Sequence, residues 1–350
     1  MNDVIDNKCL VCNAPIKFDP KLGKFKCEYC KSEFTAEQLK NMNDEKHSTE
    51  KEAIEDEYLI YNCPDCGANI ITDKETAATF CIYCGNTSII KNRLTGKFAP
   101  SKIIPFKKTK EDAINAFKKL KKGRPLVPKS FVSEKNIEKI TGVYIPFWLF
   151  DVVIDGSLEA KGTKVKHWSS GDTRYIKTDY YEMIRKGNMK FNKIPVDGST
   201  KFIDEIMNTI EPFDYSELID YNHAYLSGFL AEKYNVEKEE SYEIAKNRAL
   251  TSGKEIMLSD MTGYTNKTVK SNNLEAKEDN TEYALLPVWM VNVKYNNKYY
   301  LFAMNGQTGE FIGDIPLDKK KTVIMGIVSF IVLFLLVILV SYIIYKVGNN

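Results

Sequence analysis

Eight cysteines fall as four pairs, Cys9-x2-Cys12, Cys27-x2-Cys30, Cys63-x2-Cys66 and Cys81-x2-Cys84, with fourteen residues between the pairs in each half. A C-x2-C loop aims two thiolates at one point. Two such loops can surround a tetrahedral Zn2+ at Zn–S distances of about 2.3 Å, while the residues between them form a short hairpin with no core of its own. The spacing therefore predicts two zinc ribbons holding two Zn2+ ions. A thioredoxin-type redox pair would need a strand-to-helix context, and here every cysteine already has a place in a four-ligand set. Gly67 and Gly85 directly follow the second cysteines of the later quartet and suit a tight turn in which backbone N–H groups point at sulfur. Asn13 and Lys31 stand at those places in the first quartet, so its knuckles are expected to be less regular.

Ribbon thiolates must stay reduced to bind metal, and the opening MNDVIDNK lacks the apolar run of a secretory signal. Both features place the ribbons in the cytosol. Near the other end, residues 323–345 contain no charged side chain. At about 1.5 Å per residue such a helix crosses a hydrocarbon core of about 30 Å. Lys319, Lys320 and Lys321 precede the span and only Lys346 follows it, which by the positive-inside tendency leaves the preceding chain in the cytosol. Tyr342 and Tyr345 fall at the far interface. The expectation is a tail-anchored, single-pass protein of the cytoplasmic membrane, in contact with the bilayer through this helix.

The formal charge of +2 over 350 residues indicates no partner by itself. Its distribution says more. Between Cys9 and Lys31 five lysines stand against Asp19 and Glu28, whereas between Cys63 and Cys84 Lys74 stands against Asp65, Asp73 and Glu75. A centre with four thiolate ligands has a formal charge of −2, which Lys8 and Lys26 can balance. Tyr29 and Tyr83 match in the two knuckles and are expected to pack on the ribbons. The polar segment between the ribbons reads as a solvated helix or spacer, with His47 simply solvated.

Beyond the ribbons, Thr109 with Asp112 resembles a capping box, and Ala113, Ile114, Ala116, Phe117 and Leu120 form an apolar stripe ended by Gly123 and Pro125. Lys118, Lys119, Lys121 and Lys122 lie on the opposite face. The sequence then repeats itself: IPFWLFDVVIDG from Ile145 aligns with LPVWMVNVKYNN from Leu286. Trp148, Phe150, Val152 and Ile154 alternate onto one face, as do Trp289, Val291, Val293 and Tyr295. Asp155-Gly156 and Asn296-Asn297 suit the positive-φ positions of hairpin turns, so two similar hairpins and a pseudo-symmetric sheet are expected. Asn305-Gly306 and Thr308-Gly309 mark a further turn. Ser199 is placed to cap a helix through Ile203, Ile206, Met207 and Ile210, and residues 236–258 read as a second helix.

At these residues the chain resembles the bacterial membrane-anchored TFIIB-type zinc-ribbon proteins, some of which are labelled primosomal-helicase-like or phage replication proteins. The resemblance rests on the tandem ribbons, IIPF at 103–106, YIPFWLFD at 144–151, YLSGFLAEKY at 225–234, LLPVW at 285–289 and MNGQTG at 304–309, and covers nearly the whole chain. It implies an accessory protein of the cytoplasmic membrane, with relatives that occur beside SPFH (flotillin-like) scaffold proteins and membrane-stress factors. It supplies no catalytic residues. A helicase motor needs G-x4-G-K-[ST], but at TSGKE Glu255 follows Gly253-Lys254 and Arg248 occupies the place of the first glycine. His47, His167 and His223 are scattered through unrelated segments, and no H-E-x-x-H or G-x-S-x-G occurs.

The sequence thus predicts an α+β protein: zinc ribbon 1 over 1–35, a polar helical linker over 36–60, zinc ribbon 2 over 61–95, an α+β domain over 100–317 and a transmembrane helix over 323–345. Linker composition makes the ribbons units separate from the α+β domain. The expected function is that of a non-enzymatic, cytosol-facing adaptor or scaffold whose first ribbon offers Lys24, Lys26, Glu28 and Lys31 to a membrane-associated protein. The competing class is a membrane-tethered nucleic-acid-binding protein using the basic ribbon and the lysine-rich helix.

Overall fold

The computed structural model describes residues 4–5, 7–43, 58–62, 69–73, 75–80, 87–90, 94, 96–120, 122, 124–128, 131, 140–202, 204–295 and 298–348. In chain order the elements are β1 (Val4–Ile5), β2 (Ile16–Asp19), β3 (Lys24–Cys27), β4 (Glu33–Phe34), α1 (Ala36–Asn43), β5 (Tyr58–Asn62), β6 (Asn69–Asp73), β7 (Thr76–Phe80), β8 (Thr87–Ile90) and β9 (Lys102–Ile103). They continue with α2 (Lys110–Lys119), β10 (Thr141–Ser170), β11 (Thr173–Asp197), α3 (Asp204–Thr209), β12 (Ile219–Asp220), β13 (Leu230–Glu232), α4 (Lys238–Asp260), β14 (Asn266–Tyr295), β15 (Lys298–Asn305), β16 (Phe311–Gly313) and α5 (Lys319–Gly348). The architecture is mixed α+β, with five α-helices and a large sheet among the described residues.

The two tryptophan segments lie side by side. β10 and β14 pair antiparallel with Ile145 opposite Leu286, the same two residues that begin the sequence repeat, so a local two-fold axis passes between them. The symmetry extends outward. β11 flanks β10 as β15 flanks β14, and β13 runs parallel to β10 as β9 runs parallel to β14. The backbone N–H of Gly198 donates to Pro146 O at 2.8 Å, and that of Gly306 donates to Pro287 O at 2.8 Å. Trp148 Nε1 donates to Val236 O at 3.0 Å, and Trp289 Nε1 donates to Lys108 O at 2.8 Å. Each half is therefore a strand, a helix and a hairpin: β9, α2, β10 and β11, then β13, α4, β14 and β15. The halves exchange parts, since the strand and helix start of each dock on the hairpin of the other. Only glycine serves at 306, where a Cβ would meet the Phe106 ring at 2.7 Å and Pro287 at 2.8 Å.

Alternation along β10 feeds two cores. Val143, Ile145, Phe147 and Leu149 face a layer containing Met207, Ile210 and Phe213. Tyr144, Trp148, Phe150, Val152 and Ile154 face the layer of α2, α4 and the first cysteine module, joined there by Trp289, Val291, Val293 and Tyr295. Ser241, Ala245, Ala249 and Gly253 form a buried i, i+4 stripe on α4, so the helix runs through Gly253 and presses close to the sheet. Thr109 and Asp112 form a reciprocal capping box at the start of α2.

Three expectations are corrected. Asp155-Gly156 is no turn: it lies in mid-strand opposite Asn188-Gly187 and Glu275-Leu274. Glycine is required there because a Cβ would sit 2.1 Å from Asn273 O on the neighbouring strand. The strand runs on to a two-residue turn at Gly171-Asp172, with Gly171 at φ 60°. Thus the first Pro-x-Trp segment heads a hairpin far longer than the second, an arm that projects beyond the end of α4. Ser199 does not cap α3; it is buried and accepts from the backbone N–H of Lys201 at 3.3 Å, and the helix begins at Asp204. The second-ribbon segment is not a separate unit either. β7 pairs β13 and β8 pairs β1, so these strands extend the main sheet. The buried alanines 77 and 78 explain the join, being apolar residues that a small hairpin cannot cover alone. His47, Ile203, Asn296, Asn297 and most of the polar linker lie outside the described residues; β14 and β15 nonetheless face each other up to Tyr295 and Lys298.

Candidate metal centre

Cys9 and Cys12 lie on the loop closed by the Lys8–Pro15 bridge, while Cys27 ends β3 and Cys30 lies on the turn to β4, closed by Lys26 and Glu33. The two loops share one hydrogen-bond pattern. The N–H of Asn13 donates to Cys9 O at 2.9 Å and that of Lys31 to Cys27 O at 3.0 Å, while Cys9 N donates to Ala14 O and Cys27 N to Ser32 O. Backbone N–H groups of Val11 and Cys30 also reach the sulfurs of Cys9 and Cys27 at 3.4 and 3.5 Å. Asn13 and Lys31 have φ of 57° and 65°. Both residues take the left-handed turn that glycine would take, at the modest steric cost of a Cβ, and the two knuckles match each other.

The four sulfurs lie within 4.8 Å of one another, with Cys9 and Cys30 3.4 Å apart and Cys12 and Cys27 3.6 Å apart. A tetrahedron with Zn–S of about 2.3 Å has edges of about 3.8 Å, and the set approaches that size. The thiols are free of disulfides. They also compete for charge. The hydroxyl and backbone of Ser32 hold Cys30 down at about 6. At Cys12 the Ala14 backbone lowers the pKa, but burial and the other three sulfurs overcome it and push the thiol up to about 12. Four thiolates this close ionise together only around a cation, so the cluster can hold one metal ion, with no further protein ligand beside it among the described residues.

The module is packed against the body. Phe18 and Phe25 contact the Tyr225 ring at centroid distances of 5.1 and 5.4 Å, Phe18 N donates to Ser227 O at 3.1 Å, and Asn7 Nδ2 donates to Ser227 Oγ at 2.5 Å. Between module and body lies a cleft of about 550 Å3, lined among others by Lys26, Glu28, Phe80, Thr109, Phe229 and Trp289. The charged residues singled out from the sequence are mostly engaged locally. Lys24 pairs with Glu33 at 3.5 Å, Glu28 with Lys17 at 3.3 Å, and Lys31 Nζ donates to Glu28 O at 2.5 Å. Charge counting missed what the knuckles do expose: Tyr29 is 84% accessible and Val11 70%, with Leu10 beside them. Tyr29 thus does not pack on the ribbon. The signal was present in the sequence, since a closed metal loop points its middle residues away from the sulfurs.

Cys63, Cys66, Cys81, Cys84, Gly67, Gly85 and Tyr83 lie outside the described residues. The flanking strands are described. β5 and β6 close with Asn62 opposite Asn69, and β7 and β8 with Phe80 opposite Thr87. At the far end of the chain, α5 has an apolar, fully unburied stretch, Lys320–Tyr342, long enough to cross a membrane.

No protein-family model matches the chain. No solved structure matches it. An uncharacterized protein of Bacillus subtilis (strain 168), YdjG, is 38% identical over 318 residues, which cover 91% of this chain and 92% of that protein. Identity at this level over nearly the full length of both chains means that this protein belongs to the YdjG family.

Proposed function

We propose that the protein is a non-enzymatic, membrane-anchored zinc-ribbon adaptor of the TFIIB-type zinc-ribbon kind, holding two Zn2+ ions on the cytosolic face of a cytoplasmic membrane. The observation that carries the reading is the pairing of a closed thiolate cluster, whose loops expose Tyr29, Val11 and Leu10, with an unburied apolar helix elsewhere in the same chain. A closed four-sulfur site leaves no open coordination position for chemistry, so its use is to present a surface. A tether raises the local concentration of that surface for membrane-associated partners, of which SPFH-type scaffolds are one class.

Support for a second zinc site at Cys63, Cys66, Cys81 and Cys84 comes from register. In the first module the residue before each cysteine pair faces the residue seven positions later, Lys8 with Pro15 and Lys26 with Glu33. Asn62 with Asn69 and Phe80 with Thr87 repeat that register around the second quartet. Lys319, Lys320 and Lys321 ahead of the apolar stretch support a cytosolic body.

The test is co-purification of partners with the detergent-extracted chain from its own cell, comparing native protein with Val11→Ser/Tyr29→Ala and with charge reversal at Lys24, Lys26 and Lys31. The native chain and both variants are expected to hold two zinc ions, and the variants to lose the partner. A native stoichiometry of one removes the second site, and undiminished co-purification removes the knuckle surface.

A nucleic-acid reading has one observation in its favour. Trp168 and Tyr175 stack at 5.3 Å on the exposed arm, next to Lys166 opposite Lys177. Salt-sensitive binding of single-stranded nucleic acid by the same preparation, lost on Trp168→Ala and kept in the knuckle variants, would favour that reading.

A further inference from the structure

The lysine-rich face of α2 closes one side of a cleft of about 550 Å3 whose lining includes Lys108, Lys119, Lys122, Arg124, Asp112 and Gly309. The acid is already committed, since Asp112 accepts from the N–H and hydroxyl of Thr109, each at 2.9 Å. Lys119, Lys122 and Arg124 have no carboxylate partner among the described residues. Four cations, Lys108, Lys119, Lys122 and Arg124, thus face the one carboxylate of Asp112, and the excess of like charge gathered in one concavity points to an anion supplied from outside.

Its source is indicated by the neighbouring hydrogen bonds. The cleft's rim continues from Arg124 into residues 125–127, and this loop receives the start of α5: Asp318 N donates to Leu126 O at 2.9 Å, while Lys321 Nζ donates to Pro125 O at 3.4 Å and Val127 O at 3.3 Å. Asp318 also caps that helix, accepting from Lys320 N at 3.1 Å. The cationic cleft is thus fastened to the point where the apolar stretch begins. Lys298 lines a second cleft together with Thr322 and Val323.

The internal two-fold supplies a control within the molecule. Lys108 and Lys119 correspond to Val236 and Asn247 in the other half, where α4 lies along the arm, away from α5. At these two positions the backbone unit carries a cation only in the half that meets the start of the apolar helix. Packing of the unit therefore does not require them.

We infer that this cleft binds the phosphate headgroup of an anionic phospholipid in the membrane that α5 enters, with Lys119, Lys122 and Arg124 as its main contacts. The inference rests on the membrane-anchored reading above. Cations at a membrane surface act additively on anionic lipid. The site would fix the height and rotation of the body over the bilayer as well as add affinity.

The test uses the full chain in a mild detergent, titrated with short-chain phosphatidylglycerol, short-chain phosphatidylcholine and inorganic phosphate. Phosphatidylglycerol is expected to bind at least ten-fold tighter than the other two. Lys119→Gln/Lys122→Gln/Arg124→Gln should lose at least ten-fold of that affinity, whereas Lys119→Arg/Lys122→Arg should retain it and Lys164→Gln/Lys166→Gln on the arm should not change it. Equal binding of the two lipids, or an unaffected triple-Gln variant, overturns the site. Inorganic phosphate binding as tightly as phosphatidylglycerol overturns the lipid source. Alkaline carbonate extraction reports on α5 alone. Release of the chain from membranes removes the anchor, while a retained chain without headgroup preference removes only the site.

Discussion

The two halves of the sheet share a backbone plan and differ in what has been added to it. In the first, α2 spans ten residues and the β10–β11 hairpin has strands of 30 and 25 residues; in the second, α4 spans 23 residues and β15 only eight. The exchange of parts explains the imbalance. Because α4 docks on the hairpin of the opposite half, a longer arm needs a longer α4 to cover it: Met257 of α4 and Met261 just after it pack with Leu158, Ala160 and Met183 of the arm. The short second hairpin needs no such cover, and its chain leads on to α5. What is common to the halves is core, and what differs is reach, outward by the arm in the first and through α5, with its apolar stretch long enough to cross a membrane, in the second.

The largest test of the comparison is at the tryptophans. Trp289 packs against Phe106 and Phe229 at 5.1 and 5.9 Å, Trp148 against Tyr234 and Tyr283 at 4.8 and 5.3 Å, and each indole donates to a backbone carbonyl of the opposite half's strand-to-helix loop. Trp148→Ala and Trp289→Ala are each expected to cost about 3–5 kcal/mol in denaturant unfolding of the detergent-solubilised chain. A loss confined to one of them would break the equivalence in energy while leaving it in geometry.

A smaller effect sharpens the contrast at the next level. Asp197 and Asn305 are related by the two-fold, and Asn305 Nδ2 donates to Ile210 O at 3.0 Å, holding the loop that carries Glu211. Burial pushes the Glu211 carboxyl up to about 7 although the Arg248 guanidinium, 3.4 Å away, pulls it down, and Asp197 adds to the rise. With a folded pKa above the unfolded value of 4.5, the native state binds the extra proton between these limits. Stability should therefore fall as pH rises from about 4.5 to about 7, by at most about 3 kcal/mol. Glu211→Gln should flatten that slope, and a wild-type stability constant across the window would refute the assignment.

The smallest effect separates the two helix starts. Thr109 caps α2 with a full capping box, whereas Glu237 at the start of α4 makes no side-chain cap bond. Thr109→Ala should cost about 1 kcal/mol and Glu237→Ala close to nothing, measured by the same unfolding curves. Equal losses would mean that Glu237 contributes through charge at the helix start and not through a cap.

Much of the site was legible in advance because its chemistry is local. Two C-x2-C loops at one spacing fix four sulfurs around a point whatever surrounds them, and Cys9, Cys12, Cys27 and Cys30 converge accordingly. The repeat around Trp148 and Trp289 was equally visible. Its meaning was not: Asp155-Gly156 has the composition of a turn, and only the backbone of β14 passing beside Gly156 reveals a close approach instead.

By itself the sequence determined the metal loops, the apolar stretch near its end and the alternation of the tryptophan strands, because each depends on contacts within a few residues or on composition over one helix length. The tertiary structure decided three things that depend on residues far apart in the chain. It paired Ile145 with Leu286 as one two-fold sheet, and it joined the cysteine modules to that sheet through Phe18, Tyr225 and β7. It also brought the α2 cations to the foot of α5 through Leu126 and Lys321. Periodicity says which face of a strand is buried, but which partner buries it depends on the whole chain closing around a shared core.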